Sequence, residues 1–240
     1  MFQPQTGLCA EPNSHAYYLM FDIQAGAESE IRLALAHFPE LCEELASSYP
    51  EASFSGLVGV GSEAWERLYS QRPSLLAPFP TLEQGERVAP GTPFDLFFQL
   101  RAERVDILHL AGQRLMARLA GKVLLREERH GFRFLDCRDL TGFVDGTENP
   151  QGEHRVEVAL VAEGPFAGGS YLHVQRFVHN MAQWQRLALK EQEDIIGRTK
   201  QDNIEYASAD KPLTSHIKRV NLKDDAGNSK EILRQDRKST

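Results

Sequence analysis

The stretch AYYLMFDI, residues 16–23, carries aromatic or aliphatic side chains almost throughout and a single charge, Asp22. That composition predicts a buried strand. Residues 27–48 follow with helical spacing at Ile31, Leu33, Leu35, Phe38, Leu41 and Leu45, and Pro39 predicts a kink or a split. Residues 53–60 (SFSGLVGV) predict a second strand, and a Pro-rich connector of little periodicity fills 73–93. Residues 94–100 (FDLFFQL) predict a third strand. Residues 104–120 predict a helix with Leu108, Leu115, Met116 and Leu119 on one side. Residues 123–134 have a strand pattern broken at His130-Gly131. Strand, helix, strand, strand, helix, strand is the split βαβ order of a ferredoxin-like domain, so the expected class is α+β with antiparallel sheets.

The second half restarts the pattern. Strands are expected at 156–161 and 169–178, and a helix at 181–196 with Trp184, Leu187 and Ile195 inward and Gly197 as its stop. Short extended pieces at 217–222 and 231–233 flank the turn Asp225-Ala226-Gly227-Asn228. No second long helix follows, so this domain is expected to be incomplete at its C-terminal end. The 240 residues suit two modest domains, 1–135 and 136–240, with 136–155 as the interdomain loop.

Composition narrows the function. The net charge of -7 and the interspersed acids and bases argue against nucleic acid or an anionic membrane as the main partner. Cys9, Cys42 and Cys137 are widely spaced with no CxxC, which fits free thiols in a reducing cytosol rather than structural zinc. No signal peptide and no membrane-spanning run is expected, so the location is read as cytoplasmic.

Chemistry is carried by few motifs. Gly142-Phe143-Val144-Asp145-Gly146-Thr147-Glu148-Asn149-Pro150 puts a carboxylate between glycines that permit a sharp turn and a close approach to a ligand. The same letters also make an ordinary linker turn. An EF-hand fails because Pro150 stands where glycine is required. His130 and His154 fall in polar turns, and His173 and His179 in or beside a strand. His216 stands where a polar loop enters an extended segment and can present one ring nitrogen to a ligand. Arg234 ends an apolar run and can stabilise an anion without losing its proton. No P-loop, GxGxxG or GxSxG is present.

The segments GFVDGTENP, GGSYLHVQRFVHN, QWQRL, EQEDIIGRTK, SHIKRV and ILRQ, in that order, resemble the dye-decolourising peroxidases, haem enzymes built from two ferredoxin-like domains. The likeness covers roughly 134–235. It implies haem b as cofactor and His216 as the axial ligand of its iron. It implies Asp145 and Arg234 on the opposite face as the catalytic pair, with Gly146, Thr147, Glu148 and Asn149 beside the cofactor. It implies hydrogen peroxide and a bulky organic donor such as a dye as substrates, and a homo-oligomer.

Two departures accompany the resemblance. The chain stops six residues after Arg234, where family members continue, and Asp236 opens a charged run where the family has a small polar residue. These keep two alternatives in view: a haem-handling protein of little turnover, and a haem-free ferredoxin-like oligomer.

Overall fold

The computed structural model describes residues 3–147, 149–223, 225–227 and 229–231. The chain divides into two compact units. One runs up to Phe132 and includes Gly152–His173; the other comprises Arg133–Gln151 and the chain from Val174.

The first unit is built on strand β1 (His15–Ile23). Helices α1 (Glu28–Ala36) and α2 (Phe38–Ser48) follow, and Pro39 sits in the first turn of α2. A proline there needs no N–H partner, yet it cannot continue the helix before it, so the expected split occurs at His37. Strand β2 (Ser55–Val60) leads into a short helix α3 (Ser62–Leu68), too brief to register as a periodic run. The connector carries a small exposed hairpin, β3 (Leu82–Gln84) with β4 (Arg87–Ala89). Strand β5 (Leu96–Ala102), helix α4 (Val105–Leu119) and strand β6 (Val123–Phe132) complete the split βαβ order.

The sheet is antiparallel, in the order β2-β5-β1-β6. Tyr17, Leu19, Phe21 and Ile23 enter the core, while Ala16 and Met20, on the opposite face, are also buried. Burial on both faces explains why β1 lacks polar alternation. Phe98 centres the core, meeting Phe21 and Phe38 edge-on with ring centres 5.9 and 5.2 Å away. Cys42 lies in the same core, where burial pushes its thiol up to about 12. Met116, expected inward, is exposed, because α4 turns Leu108, Leu115 and Leu119 to the sheet instead.

The edge of β2 is covered by a side chain. The Gln5 amide donates to Val58 O (2.9 Å) and accepts from Val58 N–H (2.7 Å), and Gly7 N–H reaches Gly56 O at 3.0 Å. Strand β6 runs unbroken through His130-Gly131, contrary to expectation. Its polar residues reflect a sheet edge rather than a turn, and His130 stacks on Tyr17 at 4.3 Å. Glu128 accepts a hydrogen bond from Tyr17 and lies 3.2 Å from His130 Nε2.

Past β6 the expected strands fail. Residues 154–159 form helix α5 (His154–Ala159), with Val156 and Val158 exposed. Their alternation mimics a strand, but the Glu157 and Leu160 N–H groups bond carbonyls four residues back, and His154 pairs with Glu157 one turn on. Residues 169–178 form no strand, because no neighbouring strand among the described residues pairs with them. His173 and His179 are accordingly exposed.

The second unit holds α6 (Met181–Trp184), α7 (Leu189–Ile196), α8 (His216–Val220) and a hairpin of β7 (Asn221–Lys223) with β8 (Ser229–Glu231). The single helix expected over 181–196 is interrupted. The buried Gln192 amide donates to the carbonyls of Trp184 and Leu187, both at 3.1 Å, and so satisfies the break. Ile195 faces solvent rather than a core. Residues 216–220 are helical where an extended segment was expected, because Ser215 caps them.

Two outcomes follow for the first unit. Gln5→Ala removes two backbone-pairing bonds and lowers stability by about 1–2 kcal/mol in denaturant unfolding. The Tyr17 hydroxyl is pushed up to about 12 by burial and then by the Glu128 carboxylate, from an ordinary 10.0. Between those values the folded chain keeps a proton that the unfolded chain has shed. Stability present below pH about 10 is therefore lost as pH rises through about 12. Phenolate absorbance should show Tyr17 among the late-titrating tyrosines, and Tyr17 should titrate earlier after Glu128→Gln.

Candidate functional site

The loop of residues 133–147 is a compact knot. Residues 137–139 run beside 143–145: Asp139 N–H bonds Phe143 O and Asp145 N–H bonds Cys137 O, both at 2.9 Å. Arg138 bridges to Val144 between them. The turn closes through Gly142 N–H to Asp139 O and Thr141 N–H to the Asp139 carboxylate, at 2.9 and 2.8 Å. Gly142 has φ +90, a conformation that L side chains rarely adopt, so the turn calls for glycine there, with the end of the Lys200 side chain close by. Phe143 is buried against Trp184, whose indole N–H donates to Thr141 O at 3.0 Å.

Asp145 is thus held by its backbone and half-buried, next to Gly146 at φ +71. Asn149 N–H closes the following turn on Gly146 O (3.0 Å), and the Thr147 hydroxyl accepts from the Asn203 amide (3.0 Å). Glu148 lies outside the described residues.

His216 is the first residue of α8 and half-buried. Ser215, fully buried, accepts from Lys218 N–H at 3.3 Å and fixes where the helix starts. Gly197 ends α7 against it: a Cβ at Gly197 would stand 3.2 Å from Ser215 Oγ and 3.5 Å from Ile217 Cβ. Arg234 lies outside the described residues.

The Asp145 loop and the His216 helix share one support, the turn of residues 197–203. Its Gly197 end packs on Ser215 and Ile217. Its other end meets the loop, through the Arg138 guanidinium to Lys200 O and through Asn203 to Thr147. Arg198 stiffens the turn by bonding the side chain and carbonyl of Asn203, both at 2.9 Å. Lys200 Nζ bonds Gln192 at 2.7 Å and lies 5.6 Å above the Phe143 ring. Arg138, Gln192, Lys200 and Asn203 escaped the sequence reading. Arg138 stands in CRDLTGFVDG beside the motif, and Gln192 and Lys200 stand in EQEDIIGRTK, so their neighbourhoods were marked in the sequence though their roles were not.

Electrostatically, the Arg138 guanidinium holds the Asp136 carboxyl below the usual aspartate range, and that carboxylate raises Arg138 in turn. Among the described residues no three His, Cys, Asp or Glu side chains converge as a metal cage. A single half-buried imidazole at an anchored helix start is a donor set that suits an iron whose other ligands come from a macrocycle. The exposed Ile204 and Leu213 add apolar surface in the same unit. The His216 imidazole is the donor that fits a haem iron.

The model of the Dyp-type peroxidase N-terminal domain matches residues 5–133 and that of the C-terminal domain residues 136–238. A dye-decolorizing peroxidase of Mycobacterium tuberculosis is 40% identical over 222 residues, 91% of this chain. The chain spans 66% of that protein's length. A Shewanella oneidensis protein assigned to the dyp-type peroxidases is 55% identical with a TM-score of 0.91, over 95% of this chain and 76% of that one. A Rhodococcus jostii RHA1 DypB variant in complex with heme is 33% identical with a TM-score of 0.88, over 94% and 74%. With both of its halves matched in order, the chain belongs to the Dyp-type peroxidase family.

Proposed function

We propose that the chain is a haem-dependent peroxidase that reduces hydrogen peroxide and oxidises a bulky organic donor. The observation that carries this is the shared support of the Asp145 loop and the His216 helix on residues 197–203. Bound haem b supplies the redox chemistry. His216 would hold its iron through one ring nitrogen, with Ser215 and Gly197 orienting the helix that carries it. Asp145 would take a proton from one peroxide oxygen and return it to the other, which makes the leaving oxygen a better leaving group. Arg234 would stabilise the negative charge that develops there, keeping its own proton at any working pH. Gly146, Thr147, Glu148 and Asn149 would form the cofactor's near wall, where glycine permits close approach.

The division into domains 1–135 and 136–240 is part of the same reading, supported by the matched spans. So is a homo-oligomeric state. Among the described residues no helix is long and apolar enough to cross a membrane. The free thiols of Cys9, Cys42 and Cys137 support a cytoplasmic site of action. Family membership favours turnover over the two haem-handling and haem-free alternatives.

Titration with haemin should give a saturable Soret band that is lost or displaced in His216→Ala; an identical band in that variant sinks the axial role. Asp145→Ala should lower peroxide-dependent dye oxidation by about 10²–10⁴-fold with the band retained. Ser215→Ala should cost about 0.5–2 kcal/mol through loss of the cap, and haem should dissociate faster from that variant in a transfer assay.

A further inference from the structure

We propose that Arg138 is a positioning residue that sets Asp145 relative to His216, an inference that rests on the catalytic reading of both. All five guanidinium N–H donors are used. Nε and one terminal nitrogen grip the two Asp136 oxygens at 2.7 and 3.0 Å. That nitrogen also reaches Gln201 O at 3.2 Å. The other terminal nitrogen donates to Gly142 O at 2.9 Å and to Lys200 O. One planar group therefore joins the Asp145 loop to the turn that supports His216. A lysine ammonium has three donors at one point and cannot span this set.

The backbone around Arg138 ties the loop to itself. It bridges to Val144, and the carbonyl just before it, on Cys137, accepts the Asp145 N–H at 2.9 Å. Leu135 and Cys137 adopt φ +48 and +68, a left-handed conformation that non-glycine side chains resist. Such a path persists only where surrounding bonds over-determine it. The Arg138 side chain is 16% exposed and is the group positioned to do so.

Hydrogen exchange on the full chain without haem tests the clamp. In Arg138→Lys and Arg138→Ala, the amides of Gly142 and Asp145 should exchange about tenfold faster or more, while those of Phe98 and Leu100 in β5 keep their rates. Asp136→Asn should show a smaller acceleration. In haem-reconstituted protein, Arg138→Lys should keep the Soret band while kcat/KM for peroxide falls about tenfold and its pH profile shifts toward that of Asp145→Ala. Unchanged exchange in both arginine variants overturns the clamp. A normal peroxide step in Arg138→Lys beside a disabled Asp145→Ala overturns the positioning role and leaves the peroxidase reading intact. A fully active Asp145→Ala enzyme overturns the catalytic reading of Asp145, and the positioning role with it.

Discussion

Carbonyls from Gly142, Lys200 and Gln201 converge on one guanidinium, and the second unit is organised around that convergence. Backbone carbonyls away from helix or sheet must find donors or stay in water. Here the donor is a delocalised cation that keeps its proton, so the junction is insensitive to pH over the range in which proteins fold. The Asp136 partner is exposed, so it orients the fork more than it stabilises the fold.

The loop that follows stores strain. Two non-glycine residues in left-handed backbone, Leu135 and Cys137, cost of order 1–3 kcal/mol each. Phe143 offsets part of that by burial against Trp184, and the paired carbonyls and amides of residues 137–145 offset more. On the catalytic reading proposed for Asp145, a carboxylate held on such a loop would lose little further freedom on meeting a substrate.

The first unit was legible because its signals are local and agree with one another. A continuous apolar β1, Pro39 in the first turn of a helix and an inward stripe on α4 all say the same thing. The chain past β6 was harder to read. Val156 and Val158 alternate as a strand would, yet the stretch is one helical turn with both side chains in water. The break after Trp184 depends on Gln192, whose bonding to two carbonyls no periodicity can reveal. Asp145 and His216 were visible from the motifs that carry them. The turn of residues 197–203 was visible only as the helix stop at Gly197 and the tail of EQEDIIGRTK; that it supports both elements is geometric and carried by ordinary polar residues. Glu148 and Arg234 lie outside the described residues.

The Gln5 side chain lies along β2 as though it were one more residue of a neighbouring strand. A sheet with two bare margins can recruit copies on either side and grow without limit. Gln5 on Val58 and Gly7 on Gly56 leave the β2 margin of the four-stranded sheet with fewer backbone groups to offer another chain. A margin covered in this way cannot serve as the template for the repeated strand addition that builds a fibre.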